Sequence, residues 1–306
     1  MKNIDTFISV GESFTDKLSK KTPDQISAEY SYMTLTEHLS FVSGIFNKLE
    51  ITLEGEGMEV AAGVSALSCS LARLYPNIKN IYALEIVSGI VEKLQPILIN
   101  QTNMQGRVIP TIGDFDNIKL PDNSLDFVTG CDSLHHSNDL HKTLAEIGRV
   151  LKPGGRLIYF DRAQPDHMTK AQEDFLLNTE YARDFKIQHG IDPDQPYNRS
   201  IHGEHEPRIR DWNAAFADSG LHLDSITLFT KRSVWGFLKI LAAHIPYFIR
   251  AQFKIARNLT AHNKVLLYYI LPFSGRYGKL KIFPLHTRFK TPTAPMGKMI
   301  FIATKA

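Results

Sequence analysis

The chain has 306 residues, 43% of them hydrophobic and 22% charged, with a formal net charge of +3, enough for one large α/β domain with additions or two modest domains. Two cysteines, Cys69 and Cys131, exclude a disulfide framework and give no zinc spacing, so a reducing, cytoplasmic setting is expected. The opening MKNIDTFISVGESF lacks the apolar run of a secretory signal, and no stretch approaches the ~18 apolar residues that cross a bilayer.

The small net charge conceals a segregation. Residues 231–306 carry 14 Lys and Arg and no acidic side chain, whereas residues 1–230 carry a net charge of −11. Such asymmetry points to an anionic partner near the C-terminal part, or to docking of that part on the acidic body.

In chain order, residues 1–50 read as an N-terminal arm and helices. The first 20 are polar and irregular, and from Ser27 the apolar positions Met33, Leu35, Leu39, Val42, Ile45, Phe46 and Leu49 recur at helical spacing. Strands and helices then alternate. Strand one is Met58–Ala62, followed by a helix with Leu67, Leu71 and Leu74 on one face. Strand two is Asn80–Leu84, followed by a helix from Ser88 to about Asn100 that Pro96 kinks. Strand three is Arg107–Ile112 and strand four Leu125–Gly130. A helix from Asn138 to Leu151 stops at KPGG, and strand five is Arg156–Asp161. Residues 162–210 are polar and read as a lid of helix and loop. A helix over Asp211–Ser219, a sixth strand over Leu221–Thr230 and a last strand over Gly297–Lys305 complete the series.

This order predicts an α/β fold with a doubly wound, seven-stranded, mostly parallel Rossmann-like sheet. The core covers 51–230 with the lid inside it, a basic, aromatic insert read as helical covers 231–295 between strands six and seven, and 296–306 holds the final strand.

The strand tips carry candidate ligand-binding groups. After Glu59 at the end of strand one come small residues and a helix start, a corner where backbone N–H groups can approach an anion or hydroxyl. Ala61 and Ser65, unlike Gly63, lack free access to left-handed backbone and must sit in ordinary regions or carry strain. Glu85 ends strand two, where a carboxylate can accept both hydroxyls of a ribose. Asp114 and Phe115 follow strand three, suited to an adenine amino group and ring. GCDSLHH, 130–136, follows strand four. A dinucleotide site would need Gly-x-Gly-x-x-Gly, which is missing from this loop.

EVAAGVS, ALEI, GDFDNIKLPDNSLDFVTGCDSLHH and EIGRVLKPGGRLIYFD together resemble the class I S-adenosylmethionine-dependent methyltransferases over about Glu54–Asp161. That family's first loop is acidic-x-Gly-x-Gly-x-Gly; here it is Glu59-x-Ala61-x-Gly63-x-Ser65, keeping only the central glycine. The resemblance implies S-adenosylmethionine as cofactor. It puts Glu59 near the methionine amino group, with Ala61, Gly63 and Ser65 in the loop that lines it. Glu85 falls on the ribose hydroxyls, Ile86 beside the adenine, Asp114 and Phe115 on the adenine, and Cys131 and Asp132 around the methionine part.

Methyl transfer to a hydroxyl needs positioning and a base just past strand four, where His135 and His136 stand as equal candidates. The alternative for either is packing or capping at the following helix. In HGEHEPR, 202–208, Glu204, His205 and Arg208 are read as substrate contacts or helix-start packing; one short loop without partner ligands is poor evidence for a metal, and none is expected.

The insert has two faces if helical: Lys239, Arg250, Lys254 and Arg257 on one side, Phe237, Leu241, Ile245, Phe248 and Ile255 on the other, with Pro246 as a break. KVLLYYILPF, 264–273, is too short to span and reads as buried core or a shallow dip. An anionic membrane surface or lipid-linked acceptor is favoured over RNA, because no RNA-binding module is present and the acidic body repels a polyanion. The expected activity is O-methylation of a small-molecule, sugar or lipid-linked acceptor, by a cytoplasmic protein that can associate with membrane. An RNA methyltransferase and a non-catalytic S-adenosylmethionine-binding protein remain the alternatives.

Overall fold

The computed structural model describes residues 3–22, 25, 46–47, 49–164, 166, 168–229, 265–273, 276–285 and 298–306. A single sheet organises them. Its strands are β1 (Gly55–Val60), β2 (Ile78–Glu85), β3 (Val108–Ile112), β4 (Leu125–Cys131), β5 (Leu151–Arg162), β6 (Leu221–Phe229), β7 (Val265–Phe273), β8 (Arg276–Leu285) and β9 (Lys298–Lys305). The strand order is β3-β2-β1-β4-β5-β9-β6-β7-β8.

Both faces of the sheet are covered, and the period-two alternation of side chains sorts the core. Leu157 and Tyr159 of β5 join Met299 and Phe301 of β9, Trp212 and Phe216 on one face. Ile158 and Phe160 join Ile300, Phe127, Leu67 and Leu71 on the other. The helices α2 (Ala66–Leu74), α3 (Gln95–Gln101), α4 (Leu140–Val150) and α7 (Ile209–Asp218) pack on these faces. Asp139 caps α4 by accepting from the backbone N–H groups of His141 and Lys142. In the segment between β5 and α7, read above as a lid, lie α5 (Lys170–Leu177) and α6 (Arg183–Gln188).

Strands β1 to β5 run parallel to one another. Strand β9 is antiparallel to β5 and to β6, so β6 runs in the same sense as β1 and ends at the same edge. The seven expected strands are therefore β1–β6 and β9.

Three sequence expectations change. Residues 1–20 do not form a loose arm: α1 covers Asn3–Leu18, with Phe14 and Leu18 buried. Its stripe (Phe7, Gly11, Phe14, Leu18) is sparse, and Ser, Thr and Gly between the apolar positions weaken the pattern. Within the insert, the described residues form no helix; β7 pairs with β6 in parallel and β8 with β7 in antiparallel fashion. VLLYYIL is aromatic and apolar enough for a strand, and its length suits one. The two-faced helix expected over 237–257 lies outside the described residues, as does most of the Ser27–Leu49 helix. Lastly, the stretch after β2 opens with a π-helical turn, Ile90–Leu94, before α3, and Pro96 sits in the first turn of α3, where a missing N–H costs nothing.

Candidate active site

The carboxyl ends of β1, β2, β3 and β4 open on one cleft, whose empty space, counted out into open solvent, is about 560 Å³. It is lined by Ala61, Glu85, Ile86, Gly113, Asp114 and Phe115, and by Ser133, His136, Asn138, His202, Gly203 and Phe7.

The first loop keeps the backbone of a glycine-rich turn without the glycines. Ala61 and Gly63 both have φ +50°, and Ser65 has φ +67°. Ala61 and Ser65 therefore carry the strain that the sequence left as an alternative. Three polar contacts hold the loop. The Gly63 N–H donates to Glu85 Oε2 at 3.0 Å, the Gln95 side-chain amide donates to the Gly63 carbonyl at 2.9 Å, and Ala62 N–H donates to the Leu84 carbonyl at 2.8 Å. The other Glu85 oxygen accepts from the N–H groups of Ile86 at 2.9 Å and Val87 at 3.1 Å. Burial nevertheless raises the Glu85 pKa, outweighing these three donors.

Glu59 stands behind the loop and does not line the cleft. Its carboxylate accepts from the Ser68 N–H at 2.8 Å and from the Ser68 hydroxyl, fixing the start of α2. Burial pushes its pKa up to about 8, against the Ser68 hydrogen bonds and with help from the Glu85 charge. Asp114 is exposed, and its Oδ1 accepts from Asp116 N–H at 2.8 Å. Cys131 and Asp132 sit at the β4 tip without reaching the cleft wall; Asp132 is left-handed, φ +58°, and its N–H donates to the Phe160 carbonyl.

The structure separates the two histidines. His135 is buried, with Nδ1 2.7 Å from Asp161 Oδ1 and Nε2 2.6 Å from the Arg162 guanidinium, so both ring nitrogens are engaged away from the cleft. His136 faces the cleft, and its Nδ1 is 3.1 Å from the Gly203 carbonyl. Burial, then the neighbouring His135 and His202 rings, pull the His136 pKa down to about 3. The turn that carries both, Leu134–His136, is pinned by Tyr159, whose hydroxyl meets Ser133 and the Leu134 N–H, and by Asp161, which accepts from the His135 N–H at 3.1 Å.

Glu204, His205 and Arg208 do not line the cleft. Glu204 is buried in an ion network with Arg162 at 2.8 Å and Arg199 at 2.6 Å, and it accepts from the Tyr181 hydroxyl. Burial raises its pKa, but Arg162, Tyr181 and Arg199 together win and bring it to about 2. Arg208 caps α7 and pairs with Glu173, which accords with the helix-start alternative; the His205 N–H donates to the His135 carbonyl. Among the described residues, the cluster able to bring three metal-ligand atoms within 4.8 Å is Asp132, His135 and Asp161, not the 202–208 loop. The Arg162 cation already occupies the His135 face of that cluster.

Sequence reasoning missed Phe7, Gly113, Ser133, Asn138, His202 and Gly203. His202 stood in the quoted HGEHEPR and Ser133 in GCDSLHH, so their neighbourhood was visible; Phe7 was hidden by reading α1 as an arm.

A doubly wound sheet with an antiparallel β9, and a cleft over the tips of β1–β4, define a class I S-adenosylmethionine-dependent methyltransferase fold. Residues 58–159, a third of the chain, match the family described as methyltransferase domain. The chain is similar to the uncharacterized protein YafE of Escherichia coli K12, 34% identical over 103 residues, covering 34% of this chain and 44% of that protein. It is similar to the ubiquinone/menaquinone biosynthesis C-methyltransferase UbiE of Pseudoalteromonas translucida, 25% identical over 123 residues, covering 40% and 49%. In both cases the chain spans about half the length of the relative it matches. Among solved structures, BH2331 of Bacillus halodurans C-125 superposes with a TM-score of 0.51 at 19% identity, covering 85% of this chain and 96% of that one, a likeness of fold.

The donor set fits the cofactor of this class. A carboxylate at the β2 tip suits a diol, Ile86 and Phe115 offer apolar faces for a flat base, and Asp114 can accept from an exocyclic amine. At Gly63 an added Cβ would meet nothing within 4 Å, so the loop leaves space for close approach.

Proposed function

We propose that this protein is an S-adenosylmethionine-dependent methyltransferase that methylates a hydroxyl oxygen of a small, uncharged acceptor. One observation carries the reading: a single cleft is lined both by nucleoside-type groups, Glu85, Ile86, Asp114 and Phe115, and by the His136 imidazole. Bound there, S-adenosylmethionine supplies an electrophilic methyl group and departs as a neutral thioether. Glu85 would hold the ribose hydroxyls, Asp114, Phe115 and Ile86 the adenine, and the Ala61–Ser65 backbone the methionine portion.

The remaining chemistry belongs to the chain. The Gly203 carbonyl can only accept, so His136 Nδ1 carries a proton and Nε2 presents a lone pair. That lone pair takes the acceptor's proton as its oxygen attacks. With a pKa near 3 the imidazole stays neutral and available, but it is a weak base. A weak base suits a phenolic or enolic hydroxyl better than a sugar alcohol. Phe7 of α1 lines the cleft and would help to keep water from the reacting atoms.

The test is turnover with S-adenosylmethionine and a panel of phenols, alongside calorimetry with S-adenosylhomocysteine. His136→Gln should lower kcat ~10²-fold or more while leaving S-adenosylhomocysteine affinity within twofold. Full activity in that variant removes His136 as the base.

A further inference from the structure

Two imidazoles, His136 and His202, line the cleft, and their hydrogen bonding differs in sign. His136 and His202 stand with ring centroids 5.5 Å apart, edge to face. Phe7 of α1 packs on both, at 5.2 Å and 5.5 Å. Each ring is tied through Nδ1. For His136 the partner is the Gly203 carbonyl, an obligate acceptor, so Nε2 is a lone pair. For His202 the partner is the Tyr197 hydroxyl at 2.7 Å. That phenol has no other acceptor among the described residues, so it donates to Nδ1, and Nε2 of His202 carries the hydrogen. Burial, then Glu204, raises the Tyr197 pKa to about 12, which keeps the proton on the phenol side of that bond. Burial also lowers the His202 pKa to about 4, the Glu204 charge opposing and His189 adding to the shift, so this ring too is neutral. Among the described residues neither Nε2 has a protein partner.

We propose that His136 and His202 form an acceptor–donor pair selecting a molecule that carries a hydroxyl beside a second oxygen. The hydroxyl donates to Nε2 of His136, and the second oxygen, a carbonyl, ether or neighbouring hydroxyl, accepts from Nε2–H of His202. Phe7, which packs on both rings, and Gly203, whose carbonyl meets His136, carry no charge, nor do Ser133 and Asn138 of the cleft lining, which fits an uncharged ligand. Tyr197 acts through His202 as a positioning residue: it fixes the tautomer that makes the pair complementary. The inference rests on the methyl-transfer reading of the cleft, and it adds the identity of the recognised oxygens.

The experiment uses three probes on the full chain with S-adenosylhomocysteine bound: guaiacol (hydroxyl beside an ether oxygen), phenol (hydroxyl alone) and veratrole (two ether oxygens, no hydroxyl). Dissociation constants are read by ligand-observed NMR. Guaiacol should bind ~10-fold more tightly than phenol, and veratrole most weakly, since each matched buried hydrogen bond is worth about a decade at most. His202→Phe should reduce the guaiacol advantage to within twofold, whereas His202→Gln, which keeps an N–H donor, should retain most of it. Tyr197→Phe should shrink the advantage without changing phenol affinity, a pattern that a merely structural role would not give. Equal binding of guaiacol and phenol, or an advantage that survives His202→Phe, overturns the proposal. S-adenosylhomocysteine affinity is measured in the same samples: its loss in wild-type protein would refute the methyltransferase reading, while its presence with no guaiacol preference refutes the imidazole pair alone.

Discussion

Replacing Ala61 with glycine should stabilise the protein, although glycine ordinarily weakens a fold. Ala61 is held at φ +50° and Ser65 at φ +67°, positions that the family's loop gives to glycine. For a residue with a Cβ, left-handed backbone costs ~1–2 kcal/mol. Glycine returns roughly 0.4–1 kcal/mol of that through the greater freedom of its unfolded chain. The net for Ala61→Gly is therefore a gain of about 0.5–1 kcal/mol, or ~1–3 °C in Tm for a chain of this size. Ser65→Gly should gain at least as much, because the buried Ser65 hydroxyl has no hydrogen-bond partner among the described residues. Ala62 is the control. It lies between them, is buried and is not left-handed, so Ala62→Gly should lose about 1–1.5 kcal/mol through the missing methyl and the looser unfolded chain. Urea unfolding of the three variants decides the matter. If Ala61→Gly and Ser65→Gly destabilise as Ala62→Gly does, the loop is not strained and the reasoning fails.

Further outcomes follow from the charges. Glu59, with a folded pKa near 8 against an ordinary 4.5, binds more protons folded than unfolded; its stabilisation is present below about 4.5 and is lost as pH rises toward 8. Glu59→Gln mimics the neutral acid and should flatten that decline, which Tm measured from pH 5 to 9 would reveal; an unchanged slope contradicts it. The opposite sign holds for His136 and His202, whose folded pKa values near 3 and 4 lie below the ordinary 6.5, so stability falls as pH drops below 6.5, by up to about 1.4 kcal/mol per pH unit for each ring. His136→Asn should remove part of that acid lability, and denaturant midpoints at pH 4.5 and 7 would show it. Glu204→Ala removes one of the two buried carboxylates that Arg162 and Arg199 share, Glu206 being the other, and should cost ~1–3 kcal/mol; a change under about 0.5 kcal/mol would mean the network is solvated. For the basic stretch 231–306, flotation with vesicles containing anionic lipid should retain the protein at low salt, each well-placed Lys or Arg adding about 1 kcal/mol, and no dependence on anionic lipid would end that expectation.

The core sheet was legible because its signals are local. Apolar strands such as Met58–Val60 and Leu157–Phe160 are bounded by turns and separated by helices with regular stripes, and the strand tips end in Glu85 and Asp114, so the sheet edge and part of the cleft follow. The division of His135 from His136 was not legible. It depends on Asp161 and Arg162 at the tip of β5 claiming one ring, and on Gly203 turning the other toward the cleft, contacts that span 26 to 67 positions of chain. Glu204 misled for a related reason. A charged residue beside a histidine in a lid looks like a substrate contact, whereas the distant Arg162 and Tyr181, with Arg199 five residues away, engage it. Helix α1 was missed because its stability comes from docking: Glu12 accepts from the Ser88 hydroxyl and Gly89 N–H, and Lys17 donates to carbonyls at the end of α6.

The central claim is that the tips of β1–β4 grip one adenosyl ligand through the Glu85 carboxylate. Titrating S-adenosylhomocysteine into the wild-type chain and into Glu85→Ala, with heat as the readout, tests it directly. One site per chain is expected in wild type, with affinity reduced roughly 10- to 100-fold by losing charge-assisted hydrogen bonds to two hydroxyls. No heat from the wild-type chain, or equal affinity in the two proteins, would contradict the account.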